Sequence, residues 1–477
     1  MLIRQAELEI PADDPFRNDA LNRKELEPPL TQFVVQASGP FVLALDGAWG
    51  SGKTTFLRMW QSKLTGAGHA CLYLNAWKTD FAQEPLIAVV GELSSAIEEF
   101  APTGNRGDIL RQSMKKARKI AESIAKRSIP LGVKLLTVGI LDTEDLTKKI
   151  MSDFASDIVE DRIKDYENGK SEIEEFRQSL TSLANQVGQM KPDISAKVVV
   201  IIDELDRCRP TYAVQLLERI KHLFDVPGVV FILGLDRSQL NHSIQALYGS
   251  NFDAMRYLKR FIDLDYRLPQ PKAGDYCSYL FKRFGIEELI SKRKTLNNQD
   301  SPQNLSPILS FLMSATRMSL REQEQTLARL RIVLQTIPTN DLLFDITLSI
   351  LLFIREWNHD IYTAILEGEF SVKKILTMIE QFPAIKEVSE EFDKYREQIE
   401  AVFLAGLTEL GVTSDDHLEN YRQLINSGTD GPDAQKARSI IHIFDRIKNH
   451  RASGFMITAQ RLALTSNFVP YDDEGES

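Results

Sequence analysis

The chain has 477 residues, of which 43% are apolar and 26% charged, with a formal net charge of −10. That composition suits more than one folded core, excludes disorder as the main state, and gives the whole molecule no basic field for holding nucleic acid. Cys71, Cys208 and Cys277 stand far apart and outside any CxxC pair, which argues for a reducing compartment and against a structural zinc.

The first residues, MLIRQAELEIPADD, carry acids where a signal peptide needs a basic end and an apolar stretch, so the expected location is the cytoplasm. Periodicity then predicts a strand at Phe41 to Asp46, a helix at Lys53 to Leu64, a strand at Ala70 to Asn75 and a helix at Pro85 to Glu99. From 104 to 190 the chain is polar and helix-prone, without the apolar run of a buried parallel strand, and reads as an insertion. Between Arg106 and Arg127 eight Lys or Arg face two acids, and Asp142 to Glu175 is rich in acids. Two readings stand: a solvated hairpin whose basic half pairs with its acidic half, or a basic face for a partner, nucleic acid or a membrane surface.

Alternation resumes with a strand at Lys197 to Ile202, a helix at Pro210 to Phe224, a strand at Val229 to Leu235, a helix near Ser238 to Leu247 and a strand at Phe261 to Leu268. Pro269 and Pro271 close this unit, and the rest reads as mostly helical, ending in YDDEGES. The expected partition is therefore 1–103 and 191–275 for an α/β core with a parallel sheet between helices, 104–190 for the insertion, and 276–477 for a helical region. The two longest apolar runs, Ile129 to Leu141 and Leu342 to Ile354, each contain a charge and fall short of the ~20 residues that cross a bilayer.

Gly47, Ala48, Trp49, Gly50, Ser51, Gly52, Lys53, Thr54 and Thr55 read GAWGSGKTT, after a buried strand and at the start of a helix. There the loop amides and the positive helix end converge on one point, which suits polyphosphate. Gly50 and Gly52 allow close backbone approach, Lys53 supplies charge for the β and γ phosphates, and the Thr54 hydroxyl is placed for Mg2+. The Trp49 side chain is expected to point away from the phosphates, either anchoring the loop on neighbouring core or touching a partner or a helical lid.

The second element is VVVIIDELDRC, Val198 to Cys208. Asp203 leaves the carboxyl end of a strand buried on both faces and is placed to hold the metal; Glu204 is placed to polarise an attacking water, and Asp206 lies in the same loop. The pairing points to a nucleotide hydrolase. Without an NKxD sequence or a DxxG after the metal strand, ATP is favoured over GTP. Asp236 reads equally as a γ-phosphate sensor or as the cap of the helix that follows it. For the cation that meets developing charge, Arg207, Arg209, Arg237, Lys259, Arg260, Arg317 and Arg321 are all open, as is a finger from another subunit.

These segments, with YLNAW (Tyr73 to Trp77), VVFILGLDRSQL and YLKRFIDLDYRLP, resemble the KAP family of P-loop NTPases over about residues 15 to 270. DALNRKEL (Asp19 to Leu26) resembles the family's lead-in, and SLREQEQTLARL (Ser319 to Leu330) its C-terminal helical segment. The resemblance implies an additional-strand ATPase fold, with the sensor strand between the phosphate-loop strand and the metal strand. It implies phosphate and Mg2+ roles for Lys53 and Thr54, the metal role for Asp203, acidic roles for Glu204 and Asp206, and a second-sensor role for Arg321. Many relatives carry membrane-spanning helices where this chain has 104–190, and bacterial members are associated with phage exclusion beside partner proteins.

The expected function is an ATP-operated switch or assembly ATPase, self-associating or working with an effector. A nucleic-acid-stimulated ATPase gripping DNA through Arg106 to Arg127 is the alternative, and a scaffold in peripheral contact with a membrane is the third.

Overall fold

The computed structural model describes residues 8–127, 155–269, 273–293, 304–412, 415–427, 431–449 and 454–464, except single positions 38, 83, 340 and 342. It divides into two compact units, Glu7–Pro269 and Gln270–Ser477, so the break falls at the proline that closes the alternating pattern.

The first unit is built on five parallel strands: β1 (Phe41–Asp46), β2 (Ala70–Asn75), β3 (Val198–Asp203), β4 (Val229–Leu235) and β5 (Leu264–Arg267). Their order is β2-β3-β4-β1-β5, which places β4 between the phosphate-loop strand and the metal strand, as the resemblance implies. Helices on both faces explain why β3 and β4 are apolar throughout rather than alternating: every residue of the two is buried. Side chains still point to opposite faces with period two. Leu43, Leu45, Val199, Ile201, Val230 and Ile232 meet Leu30 and Val34 of α1 (Glu27–Gln36) and Phe56, Leu57 and Trp60 of α2 (Lys53–Ala67). Val42, Ala44, Val198, Val200, Ile202, Phe231 and Leu233 face the other way.

That second face is covered by α3 (Pro85–Phe100), α4 (Asn105–Arg127), α5 (Ala155–Met190), α6 (Pro210–Leu223) and α7 (Arg237–Tyr248). Between Arg106 and Glu175, α4 and α5 account for the charged segment where it is described. Leu110, Met114, Ala117, Ala121 and Ile124 recur at helical spacing on α4, and Phe176, Leu180, Leu183 and Val187 on α5. All nine belong to the core cluster of the sheet. The run Ile129 to Leu141 lies outside the described residues.

The predicted strand from Phe261 is shorter in the structure. Phe261 and Ile262 are turned into the core, with the Phe261 ring 5.0 Å from that of Tyr257. Regular pairing with β1 begins only at Leu264.

The described part of the second unit is helical. From Asp345 onward the second apolar run lies in the helix Asp345–Trp357, in which Thr347 to Arg355 are all buried. Among the described residues no helix is long and apolar enough to cross a membrane.

Candidate nucleotide site

The loop from β1 to α2 turns through Gly50 (φ 69°) and Gly52 (φ 82°), angles that side chains disfavour. Its near end is tied to the sheet, the Gly47 N–H donating to the Leu235 carbonyl at 3.2 Å. Lys53 opens α2 and is 8% exposed. Its ammonium donates to the loop's own carbonyls, to Gly47 and at 3.2 Å to Ala48. Burial pulls the Lys53 pKa down, against the fields of Asp206, Asp236, Asp203 and Asp46.

Parallel pairing puts Asp203 at the same level as Asn75 of β2 and Gly234 of β4. The Thr54 hydroxyl donates to Asp203 Oδ2 at 2.6 Å, so the residues read as the two metal-facing groups touch. Tyr73 donates to the same oxygen at 2.7 Å, and the Glu204 N–H donates to Oδ1 at 2.9 Å. Asp203 is 1% exposed. Its pKa is pushed up by burial, against the hydrogen bonds from Thr54 and Tyr73.

Glu204 has a left-handed backbone, φ 60° and ψ 32°, uncommon for a residue with a side chain. That turn aims its carboxylate back at β2: Asn75 Nδ2 donates to Oε2 at 2.7 Å, while Arg207 Nη1 pairs with Oε1 at 3.3 Å. Asp206, 6% exposed, accepts from the Trp49 indole N–H at 2.5 Å. Its pKa is raised by burial, against the bond from Trp49 and the charge of Lys53. Trp49 is therefore not packed into core; the residue is 46% exposed and its N–H links the phosphate loop to the acidic loop. The Arg207 guanidinium lies 5.8 Å from the ring centres of both Trp49 and Trp77, within cation–π range.

Asp236 caps α7, accepting from the N–H groups of Ser238 at 3.0 Å and Gln239 at 3.3 Å. Of the arginines considered, Arg209 bonds to Asp80 and Arg237 to Asp265; Arg207 pairs with an acid of the loop itself. Lys259 and Arg260 are exposed, the latter 6.0 Å from the Tyr257 ring. Arg317 and Arg321 belong to the second unit. There Arg317 pairs with Glu387 at 2.5 Å, and Arg321 sits in the first turn of a helix capped reciprocally by Ser319 and Glu322.

Tyr73 and Asn75 escaped the reading of roles from sequence, although YLN closes a predicted strand. Which strand neighbours the metal strand is a tertiary fact, and only that neighbour can present these groups.

The Thr54 hydroxyl and the buried Asp203 carboxylate form a hard-oxygen pair that fits Mg2+, and the glycine-bent loop with Lys53 fits a polyphosphate. A parallel sheet with a glycine-rich loop at one strand end and acids at another defines a P-loop NTPase. The chain belongs to the KAP family, whose P-loop domain matches residues 29–337. A more distant likeness, 23% identity over 248 residues, runs to the phage T7 exclusion protein of Escherichia coli (strain K12) and covers 49% of this chain and 31% of that protein. The chain thus spans about a third of the length of that relative.

Proposed function

We propose that this chain binds ATP with Mg2+ and hydrolyses it, and that nucleotide state controls an assembly or a partner effector in defence against phage. The carrying observation is the 2.6 Å contact between Thr54 and Asp203, which joins the end of the phosphate loop to the end of the metal strand, with Glu204 next in the chain. Loop amides, the α2 dipole and Lys53 bind the phosphates; Mg2+, when bound, neutralises charge on the β and γ oxygens. Glu204 orients the attacking water and takes its proton, Asp206 holds the loop through Trp49, and Asp236 serves as the γ-phosphate sensor.

Asn75 and Arg207 each hold one oxygen of the Glu204 carboxylate, which fixes its direction and leaves lone pairs free to accept from a water. The defence role rests on the name of the distant relative and is tested separately, by phage plating on cells carrying wild-type or variant chains.

Lys53→Ala is expected to abolish ATP binding measured by calorimetry, whereas Glu204→Gln keeps binding and loses at least about 100-fold in turnover, the scale of general-base loss. Wild-type turnover in Glu204→Gln would remove that residue from catalysis. One observation favours the second reading: α4 turns its apolar stripe to the core and leaves Lys115, Lys116, Lys119 and Lys126 exposed. Turnover stimulated by DNA, with salt-sensitive binding lost when these four become Gln, selects a nucleic-acid-dependent ATPase. Turnover indifferent to DNA, with oligomers that form only with ATP, selects the switch.

A further inference from the structure

Two solvent-inaccessible polar atoms beside the phosphate loop have no hydrogen-bond partner: Nη1 of Arg23 and the hydroxyl of Ser51. Their residues are in direct contact, Arg23 Nη2 donating to the Ser51 carbonyl at 2.6 Å and, at 3.5 Å, to the carbonyl of Pro269 beyond β5. Arg23 lies upstream of the stretch that the family's domain matches.

The lead-in is folded to deliver this side chain. Asp19 accepts the N–H groups of Leu21 at 3.2 Å and Lys24 at 2.7 Å. Asn22, at φ 53°, takes the left-handed conformation that Asn tolerates best among residues with side chains. The single turn Arg23–Leu26 follows, and Arg23 ends 4% exposed.

A guanidinium so buried is expected to satisfy its donors. Here both bonds to the loop and to the end of β5 leave from one nitrogen and end on neutral carbonyls. Lys53 feels four carboxylates, whereas Asp19 is the one acid acting on Arg23, whose pKa burial pulls down to about 10. Arg23 is charged at neutral pH and under-compensated, beside a loop built for anions.

We propose that Arg23 is a second cation of the phosphate site, a positioning residue that holds the loop by the Ser51 carbonyl and supplies positive charge that a bound polyphosphate compensates. This rests on the nucleotide reading above. Asp19, as the competing anion, sets how much of that charge is left for the ligand.

The test compares Kd for ATP and for ADP, each with Mg2+, by calorimetry on the full chain, with apo melting temperatures alongside. Arg23→Gln is expected to weaken ATP about tenfold, the scale of removing one nearby unit charge from a partly screened site, and ADP by less. Asp19→Asn keeps one of the two backbone bonds that Asp19 accepts and, with an unchanged apo melting temperature as the check that the turn stays folded, is expected to tighten ATP about two- to threefold, more than ADP. Equal loss of both nucleotides in Arg23→Gln would reduce Arg23 to a structural clamp and overturn its charge role, as would an unchanged ATP-to-ADP ratio in Asp19→Asn; the latter decides the matter if Arg23→Gln does not fold. Wild-type affinities in both variants would overturn the proposal while leaving nucleotide binding, lost in Lys53→Ala, intact. Absence of binding by the wild-type chain would instead overturn the nucleotide reading and the proposal with it.

Discussion

Asp203 serves two demands that oppose each other. Holding a cation requires an ionised carboxylate, yet at 1% exposure ionisation is penalised, and burial raises its pKa despite hydrogen bonds from Thr54, Tyr73 and the Glu204 amide. The carboxylate therefore weakens the ligand-free fold at neutral pH and is relieved when a positive charge binds. Asp203→Asn is expected to raise the apo melting temperature by ~2–4 °C, the response to about 1 kcal/mol in a domain of this size. The same change removes the Mg2+ dependence of ATP binding. A lower apo melting temperature would mean that the hydrogen bonds outweigh the buried charge. At Trp49 the bond from the indole N–H to Asp206 explains why a large aromatic is accommodated in a loop of small residues: the ring stays outside the cradle and fastens it to the acidic loop.

Among the elements, β4 shows how a strand can serve a site it does not itself line with chemistry. Its sequence VVFILGL breaks an apolar run with Gly234, which is paired with Asp203. A Cβ at Gly234 would lie 2.5 Å from both Asp203 Oδ1 and Leu57 Cδ1, so the glycine is what lets the carboxylate and α2 close over the strand. Gly234→Ala is expected to cost about 1–3 kcal/mol by overpacking. It is also expected to push Asp203 off Thr54, so that denaturant unfolding and Mg2+-dependent ATP binding worsen together; loss of stability with unchanged binding would separate packing from the site. In α4 and α5 the apolar stripes were hidden in the sequence by charge. Helical spacing scatters the core residues of each helix among more numerous polar neighbours, and composition follows the neighbours.

Across the first unit, titration of buried groups sets opposite responses to acid. His69, 2% exposed, accepts the Lys197 N–H on Nδ1 at 3.1 Å, and burial, helped by the Lys197 charge, lowers its pKa. A lowered histidine contributes stability that is complete above its unfolded value of about 6.5 and is lost as pH falls from there toward the folded value, because the unfolded chain takes the proton first. Asp203 and Asp206, raised in the fold, act the other way: their burden is relieved as pH falls from their raised values toward the unfolded one. His69→Gln is therefore expected to flatten the loss of stability between pH 7 and 5.5, measured by denaturant unfolding. An unaltered slope would assign that loss to other groups.

The sequence by itself determined the class of this protein. A phosphate loop works through consecutive backbone amides and a helix end, and a metal strand through one apolar run ending in acids; both are local, so spacing and periodicity carry them, together with the α/β order. What required the tertiary structure lies across strands and loops. Strand order brings Tyr73 to Asp203 and Asn75 to Glu204, the loops bring Trp49 to Asp206, and the folded lead-in carries Arg23 to Ser51. Those contacts span 28 to 157 positions in the chain, and a one-residue change of register would turn Asn75 and Asp203 away from their partners, so no local pattern could specify them.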